Sequence, residues 1–219
     1  MAFKQRAVLY LCVMVVILRE LAIFNVHHHD ENTVQMRYTS SNGAAYEFDI
    51  ALHEPESDQV ISKGIKQGLF GPKGTYPSVD EFHSICEHTG AQCENGKVLV
   101  EVGSAVGMVS LYAATRGMRV YAFDPLPPNV ERLRESRRMN SLYNLTIIWG
   151  LVGSTSDPAG RWVESEPGNL AATMRGGGRV EARAGGEPQP IRSIVDYLSA
   201  ALPAGAHPNV LAERDGKFH

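Results

Sequence analysis

A glycine-rich turn flanked by two acidic residues carries the chemistry that this sequence predicts. In the segment VLVEVGSAVG, Glu101 precedes Gly103 by two residues, and Gly107 follows four residues later. Glycines let the main chain approach a ligand where a Cβ would collide, and a helix that follows such a turn directs backbone N–H groups at it. Asp124 lies 21 positions after Gly103, where a carboxylate can accept hydrogen bonds from both ribose hydroxyls of a nucleotide. The spacing therefore predicts a nucleotide-type ligand.

Glu101 indicates which nucleotide this is. A dinucleotide has no cationic group to place beside that carboxylate, whereas S-adenosylmethionine (SAM) carries an ammonium and a sulfonium. The dinucleotide fingerprint G-x-G-x-x-G is also absent, because Ser104 and Ala105 follow Gly103 and no third glycine has the required spacing. The alternative is a tight turn with a solvated Glu101. We predict a SAM site whose binding residues are Glu101, Gly103, Ser104, Gly107 and Asp124.

Strands and helices alternate in the elements that must position these residues. Apolar runs predict strands over 44–52, 97–102, 119–123, 144–149 and 209–212, and helical patterns cover 80–88, 108–115, 129–139 and 193–202. Residues 154–190 predict only a hairpin or a mobile loop. Such alternation is typical of an α/β, doubly wound (Rossmann-like), mostly parallel sheet. The ligand then lies at the carboxyl ends of the strands.

The stretch VLVEVGSAVGMVSLYAATRGMRVYAFDPLPPNVERLRESRRMNSLYNLTI resembles the FkbM-type methyltransferases, a branch of the class I SAM-dependent enzymes. The shared features are acid-x-Gly at a strand end, a Gly four residues later, a Ser-Leu-x-Ala-Ala helix and an Ala-Phe-acid-Pro turn. A weaker similarity runs through IRSIVDYLSAALP and NVLAERDG. The resemblance implies methyl transfer from SAM to a hydroxyl oxygen of a small molecule or glycan. It also implies that Glu101 holds the methionine end of SAM and Asp124 the ribose.

The chain departs from that family in three ways. Ala105 stands where the family usually carries Asn, and the family's Asp-x-Glu-Gly is replaced by Glu213-Arg214-Asp215-Gly216. The family resemblance also implies seven strands, whereas this chain ends after the fourth. We therefore expect a C-terminally incomplete methyltransferase domain over 44–219, truncated after the fourth strand. In it, the side chains of Val98, Val100 and Val210 would be only partly covered.

No catalytic residue is predicted with comparable support. Glu213 and Asp215 are the only acidic groups at the expected fourth-strand end, and His83, His88 and His207 are expected at the surface. Two rival functions stay open, and the early end of the expected sheet favours the first of them. One is a non-catalytic, membrane-tethered remnant of the fold; the other is an NAD-type oxidoreductase, which Glu101 and the glycine spacing disfavour.

The N-terminus predicts a membrane anchor. Basic residues precede the apolar run Ala7 to Leu18, which Arg19 and Glu20 interrupt, so residues 1–26 are expected to form an uncleaved signal anchor. The rest of the chain would face the lumen of the secretory pathway. The alternative is a buried N-terminal helix. Residues 27–43, which include three consecutive histidines, are expected to be a polar stem or linker.

Composition restricts the remaining partners. The net charge of −3 gives no electrostatic reason to expect a nucleic acid, and the basic run at Arg132, Arg134, Arg137 and Arg138 is expected to be a solvated helix face. Three cysteines exclude a four-cysteine metal site, and we predict no metal. Cys86 and Cys93 could pair in an oxidising compartment.

Overall fold

The structure, a computed structural model, describes residues 31–39, 45–68, 82, 93, 95–153, 157–161, 189–193, 196–197 and 210–213. All elements lie in the compact unit Asn32–His219. Three helices are described: α1 (Ile61–Lys66), α2 (Met108–Thr115) and α3 (Pro127–Met139). The nine strands of the described residues are β1 (Thr33–Thr39), β2 (Ala45–Ala51), β3 (Val98–Val102), β4 (Arg119–Asp124), β5 (Leu145–Trp149), β6 (Leu151–Gly153), β7 (Asp157–Arg161), β8 (Gln189–Ser193) and β9 (Val210–Glu213).

A parallel sheet with the strand order β5-β4-β3-β9 forms the centre of the fold. In chain order this is 3-2-1-4, the order of the first four strands of a doubly wound sheet, and the strand order reverses between β3 and β9. The predicted parallel α/β sheet is therefore confirmed. The carboxyl ends of β3 and β4, which carry the predicted site, lie beside this reversal.

Predicted and observed element boundaries agree closely around the glycine turn. The helix predicted over 108–115 is α2, and the helix predicted to begin at Asn129 begins two residues earlier, at Pro127. Proline suits the first helical positions because its missing N–H would have no partner there and its φ is already helical.

One face of the sheet is covered by two layers. Helices α2 and α3 pack on it, and the antiparallel hairpin β1–β2 packs on both helices. Helix α2 therefore lies between sheet and hairpin, which explains why its residues from Val109 to Ala114 are all buried. The Tyr112 ring lies 5.3 Å from that of Tyr38 and 5.6 Å from that of Tyr46, so hairpin and helix share one aromatic core.

The hairpin corrects the linker prediction for 27–43, which is wrong for Thr33–Thr39. This segment forms β1, paired along its whole length with β2. Helix α3 satisfies the outer edge of β2: the Asp49 N–H donates to Asn140 Oδ1 at 2.7 Å, and the Ala51 N–H donates to Ser136 Oγ at 2.8 Å. The side chains of Asn140 and Ser136 thus accept the backbone hydrogen bonds that a third strand would otherwise accept.

The other face of the sheet is also covered, contrary to expectation. Val98 and Val100 are 6% and 0% exposed, because they cluster with Tyr121, Phe123 and the partly buried Tyr197. The prediction that these two valines would be partly uncovered is therefore wrong. The side chain of Val210 lies outside the described part of the structure.

A second, three-stranded sheet follows β5, with the order β6-β8-β7. Strands β7 and β8 are antiparallel; residues 162–188 between them, which make up most of the segment predicted to be a hairpin or a mobile loop, lie outside the described residues. Ser193 ends β8, so the helix predicted over 193–202 does not begin there; of that range, only 196–197 are also described, and they are helical.

The predicted anchor (1–26) lies outside the described residues, as does the helix predicted over 80–88 apart from the buried, helical Phe82. Among the helices that the structure describes, none has both the length and the apolar character needed to cross a bilayer.

Candidate functional site

The turn between β3 and α2 is built on two left-handed glycines. Gly103 has φ 82° and Gly107 has φ 89°, a region that residues with a Cβ rarely adopt. The N–H groups of Gly103 and Ser104 both donate to the Phe123 carbonyl, at 2.8 and 2.9 Å. These bonds fold the turn over the end of β4.

Gly107 also leaves no room for a side chain. It is the N-cap residue of α2, and a Cβ built on it would lie 2.1 Å from Leu133 Cδ1 on α3. Close packing of the two helices therefore requires glycine here, in addition to the requirement set by φ. This requirement is structural and accounts for Gly107 without a ligand.

Asp124 ends β4 as predicted, and its carboxylate holds the turn. Oδ2 accepts a hydrogen bond from the Ala105 N–H at 2.7 Å, and Oδ1 accepts from the Leu126 N–H at 2.9 Å and from Asn129 Nδ2 at 3.1 Å. The side chain is 4% exposed. Since two carboxylate oxygens offer about four acceptor positions, much of the capacity of Asp124 is used within the protein.

Glu101 lies on the neighbouring strand and faces α2. It is buried and accepts a hydrogen bond from Ser110 Oγ. Burial raises the pKa of Glu101 to about 7; the bonds to Ser110 oppose this rise, and the charge of Asp124 adds to it. The alternative of a solvated Glu101 is therefore wrong. Near neutral pH this carboxyl is partly protonated, so it supplies only part of the negative charge expected beside a cation.

The Ser104 hydroxyl is an unsatisfied group inside the turn. Ser104 is 4% exposed, and its Oγ has no hydrogen-bond partner within the described part of the chain. A buried hydroxyl without a partner costs about 1–3 kcal/mol, which a polar ligand group would recover. Asp49 Oδ1, on β2, is the other such atom among the described residues. Together with the left-handed glycines, the free hydroxyl of Ser104 fits the close approach of a polar cofactor.

Three residues of this region were not predicted from the sequence. Ser110 contacts Glu101, and Asn129 contacts Asp124 as well as His53, which follows β2. Two of these residues had a signal in the sequence: Ser110 is a polar residue inside the apolar helix α2, and Asn129 is an Asn at the start of α3. No sequence signal connects His53 to this region.

The candidate catalytic groups are not tested by the geometry. Glu213 pairs in register with Val102, but its side chain lies outside the described residues, as do Asp215, His83, His88 and His207. Among the residues that the structure describes, no cluster of three or more His, Cys, Asp or Glu could hold a metal ion.

The basic run on α3 is partly exposed: Arg134 and Arg138 are exposed, whereas Arg132 and Arg137 are half-buried. Arg132 pairs with Glu135 at 2.7 Å, as a solvated helix face predicts. A surface cavity of about 240 Å³ at the end of α3 is lined by Arg137, Arg138, Ser141, Leu142 and Tyr143. It lies near the start of β5, whereas Asp124 lies at the carboxyl edge of the sheet, so it is separate from the predicted ligand site.

Comparison with known proteins gives little further identification. No protein-family model matches the chain, and no curated protein matches it. Among solved structures, it is similar to a T. thermophilus 16S rRNA methyltransferase in complex with AdoMet and guanosine, with 15% identity and a TM-score of 0.30. The match covers 54% of this chain and 27% of that one, so the chain spans about a quarter of that structure. This similarity is too distant to assign a family, and the fold assignment given above rests on strand order.

Proposed function

We propose that this chain binds SAM at the carboxyl ends of β3 and β4 and belongs to the SAM-dependent methyltransferases. The observation that carries the proposal is the buried hydroxyl of Ser104, which has no partner among the described residues. It lies in a turn with two left-handed glycines, and the carboxyl groups of Glu101 and Asp124, at the ends of the two strands beside that turn, are also buried. A polar ligand atom would give the Ser104 hydroxyl the partner that the described residues do not supply.

Each residue of the turn has a proposed role toward the cofactor. SAM would supply an activated methyl group on its sulfonium. Glu101, to the extent that it is ionised, attracts the methionine ammonium, while Asp124 accepts a hydrogen bond from the ribose beside those it accepts from the protein. Gly103 and Gly107 keep the backbone free of side chains, and Ser104 pairs its hydroxyl with a polar cofactor atom.

The acceptor that we propose is a hydroxyl group of a small molecule or a glycan. This choice rests on the FkbM-like pattern of the sequence, and the base that would remove the hydroxyl proton is not identified. We further propose that residues 1–26 anchor the chain in the membrane and that the compact unit Asn32–His219 faces the lumen of the secretory pathway. The disulfide at the buried Cys93 supports an oxidising compartment; the proposed partner, Cys86, lies outside the described residues.

Calorimetry on the full-length chain tests cofactor binding. We expect SAM and its demethylated product to bind and NAD to bind more weakly. Ser104→Ala should weaken SAM binding roughly threefold to tenfold, as expected for one lost hydrogen bond. It should leave the free energy of unfolding unchanged or slightly raised, because it removes an unsatisfied group.

Ser136→Ala is the matched control for this experiment. Ser136 is equally buried but bonded, since its Oγ accepts from the Ala51 N–H at 2.8 Å and donates to the Arg132 carbonyl at 3.0 Å. This variant should lose stability and keep its SAM affinity. NAD binding tighter than SAM, or an unchanged affinity in Ser104→Ala, would contradict the proposed site.

Methyl transfer is tested separately from binding. Incubation with SAM carrying a labelled methyl group, together with a panel of glycans and small alcohols, should label a hydroxyl acceptor. Tight SAM binding without transfer to any acceptor would favour the rival function, a non-catalytic remnant.

A further inference from the structure

A buried chain of hydrogen bonds connects the segment after β2 to the candidate site. His53 Nε2 lies 2.9 Å from Asn129 Oδ1, and Asn129 Nδ2 donates to Asp124 Oδ1 at 3.1 Å. The three residues are 7%, 2% and 4% exposed. Asp124 in turn holds the Ala105 N–H of the glycine turn at 2.7 Å.

The network fixes the tautomer of His53. Asp124 accepts hydrogen bonds from the N–H groups of Ala105 and Leu126, so its carboxylate acts as an acceptor and the group that faces it on Asn129 must be the NH₂. The amide oxygen of Asn129 therefore faces His53, and an amide oxygen only accepts. His53 must donate from Nε2, which leaves Nδ1 without a proton in the neutral ring.

The surroundings of His53 keep it neutral and in place. Burial lowers the pKa of His53; the bond to Asn129 and the charge of Asp58 oppose this effect, while Arg132 adds to it. The backbone N–H of His53 donates to Ser62 Oγ at 3.0 Å, and Ser62 Oγ donates to Asp58 Oδ2 at 2.8 Å. Because the backbone of His53 is held by the start of α1, the ring has little freedom to turn away.

We propose that His53 and Asn129 are positioning residues of the nucleotide site: His53 orients the Asn129 amide, which holds the Asp124 carboxylate toward the glycine turn and a bound ribose. The inference rests on the proposed function, since it assigns these residues a role in SAM binding. Neither residue touches the ligand in this scheme. Their effect on affinity passes through Asp124, because a carboxylate already fixed in one rotamer loses less conformational freedom on binding.

We call the hydrogen-bonded series from His53 through Asn129 to Asp124 the relay. Replacement of the donor at position 53 tests it. His53→Leu removes the donor to Asn129 Oδ1, so the Asn129 amide is held less firmly, and the variant should weaken SAM binding about threefold to tenfold. His53→Gln, whose side-chain NH₂ can donate to Asn129 Oδ1, should restore the affinity to within about twofold of the original chain. Ser136→Ala, which lowers stability elsewhere on α3, controls for a general loss of fold.

A double-mutant cycle separates positioning from packing. If His53 acts through Asn129, then His53→Leu should have no further effect on SAM affinity in the Asn129→Ala background. Additive losses, or failure of His53→Gln to restore affinity when it unfolds at the same denaturant concentration as the original chain, would overturn the relay.

The tautomer offers a readout that needs no ligand. Nitrogen NMR of the histidine rings should give a protonated Nε2 and an unprotonated Nδ1 for His53, identified by its absence in His53→Gln. The opposite tautomer would overturn the relay whatever the chain binds. Failure of the original chain to bind SAM would instead overturn the proposed function, and with it the role of the relay in binding.

Discussion

The Asp124 carboxylate accepts a hydrogen bond from the Ala105 N–H at 2.7 Å, which joins the end of β4 to the turn that follows β3. Ala105 has φ 50°, in the left-handed region. A non-glycine residue there costs roughly 1–2 kcal/mol. The backbone of the turn is therefore strained at Ala105, and the bond to Asp124 helps to hold this conformation.

Ala105→Gly should therefore be nearly neutral for stability. Relief of the left-handed conformation, worth roughly 1–2 kcal/mol, is offset by the entropy that glycine loses on folding, about 0.5–1 kcal/mol, and by loss of the Ala105 methyl group from the core, about 0.8 kcal/mol. We expect the free energy of unfolding to change by less than about 1 kcal/mol. Denaturant unfolding measures this change. Ala113→Gly is the control, because Ala113 is buried within α2, and there glycine should lower stability by about 1 kcal/mol or more. A loss of stability in Ala105→Gly as large as that in Ala113→Gly would contradict the strain.

Gly107→Ala should destabilise the protein through two separable effects. The left-handed φ of 89° disfavours any side chain, and the new Cβ would lie 2.1 Å from Leu133 Cδ1. Together these should cost roughly 2–5 kcal/mol of stability, measured by denaturant unfolding.

Gly96→Ala isolates the first effect. Gly96 has a similar φ of 83° but no atom within 4 Å of a built Cβ, so alanine there should cost only the backbone penalty of roughly 1–2 kcal/mol. Equal losses in the two variants would show that Leu133 gives way and that helix packing does not require Gly107.

The sequence predicted the central sheet because its strands are apolar runs bounded by glycine and turn residues. Strand β1 was missed because its segment is polar overall. Val34, Met36 and Tyr38 do alternate with polar residues, but in the structure these three are only partly buried. The stability of β1 depends on contacts with α2 that no local pattern encodes. The relay was missed for a similar reason: His53 and Asn129 lie 76 positions apart and meet only in the folded chain.

The glycosylation sequon Asn144-Leu145-Thr146 should remain unmodified in the folded protein, even if the chain faces the lumen. Asn144 Nδ2, the atom that would carry the glycan, donates to the carbonyls of Ala114 and Met118 at 2.8 and 2.7 Å. A glycan would replace one of the two hydrogens on Nδ2, so at least one of these bonds would be lost. Expression in cells of the secretory pathway, followed by glycosidase treatment, should give no mass shift.

Lys97→Thr supplies the control for glycosylation, since it creates a new sequon at the exposed Asn95. We expect this variant to be glycosylated at Asn95. A glycan on Asn144 would show that its two hydrogen bonds do not protect it, whereas failure of the Lys97→Thr variant to acquire a glycan would argue against a lumenal location.

The raised pKa of Glu101 should make stability depend on pH in a defined direction. Burial moves this pKa from its ordinary value of 4.5 to about 7, so the folded chain holds the proton more tightly than the unfolded chain. The stability associated with this group is complete below about pH 4.5, falls as the pH rises and is lost above about pH 7.

Glu101→Gln keeps a neutral side chain at every pH, and its stability relative to the original chain should rise on the order of 3 kcal/mol between pH 4.5 and pH 8. Denaturant unfolding at several pH values measures this difference, and Glu131→Gln, at an exposed site on α3, should show no such trend. A difference between Glu101→Gln and the original chain that stays constant with pH would mean that Glu101 is not held protonated in the folded protein.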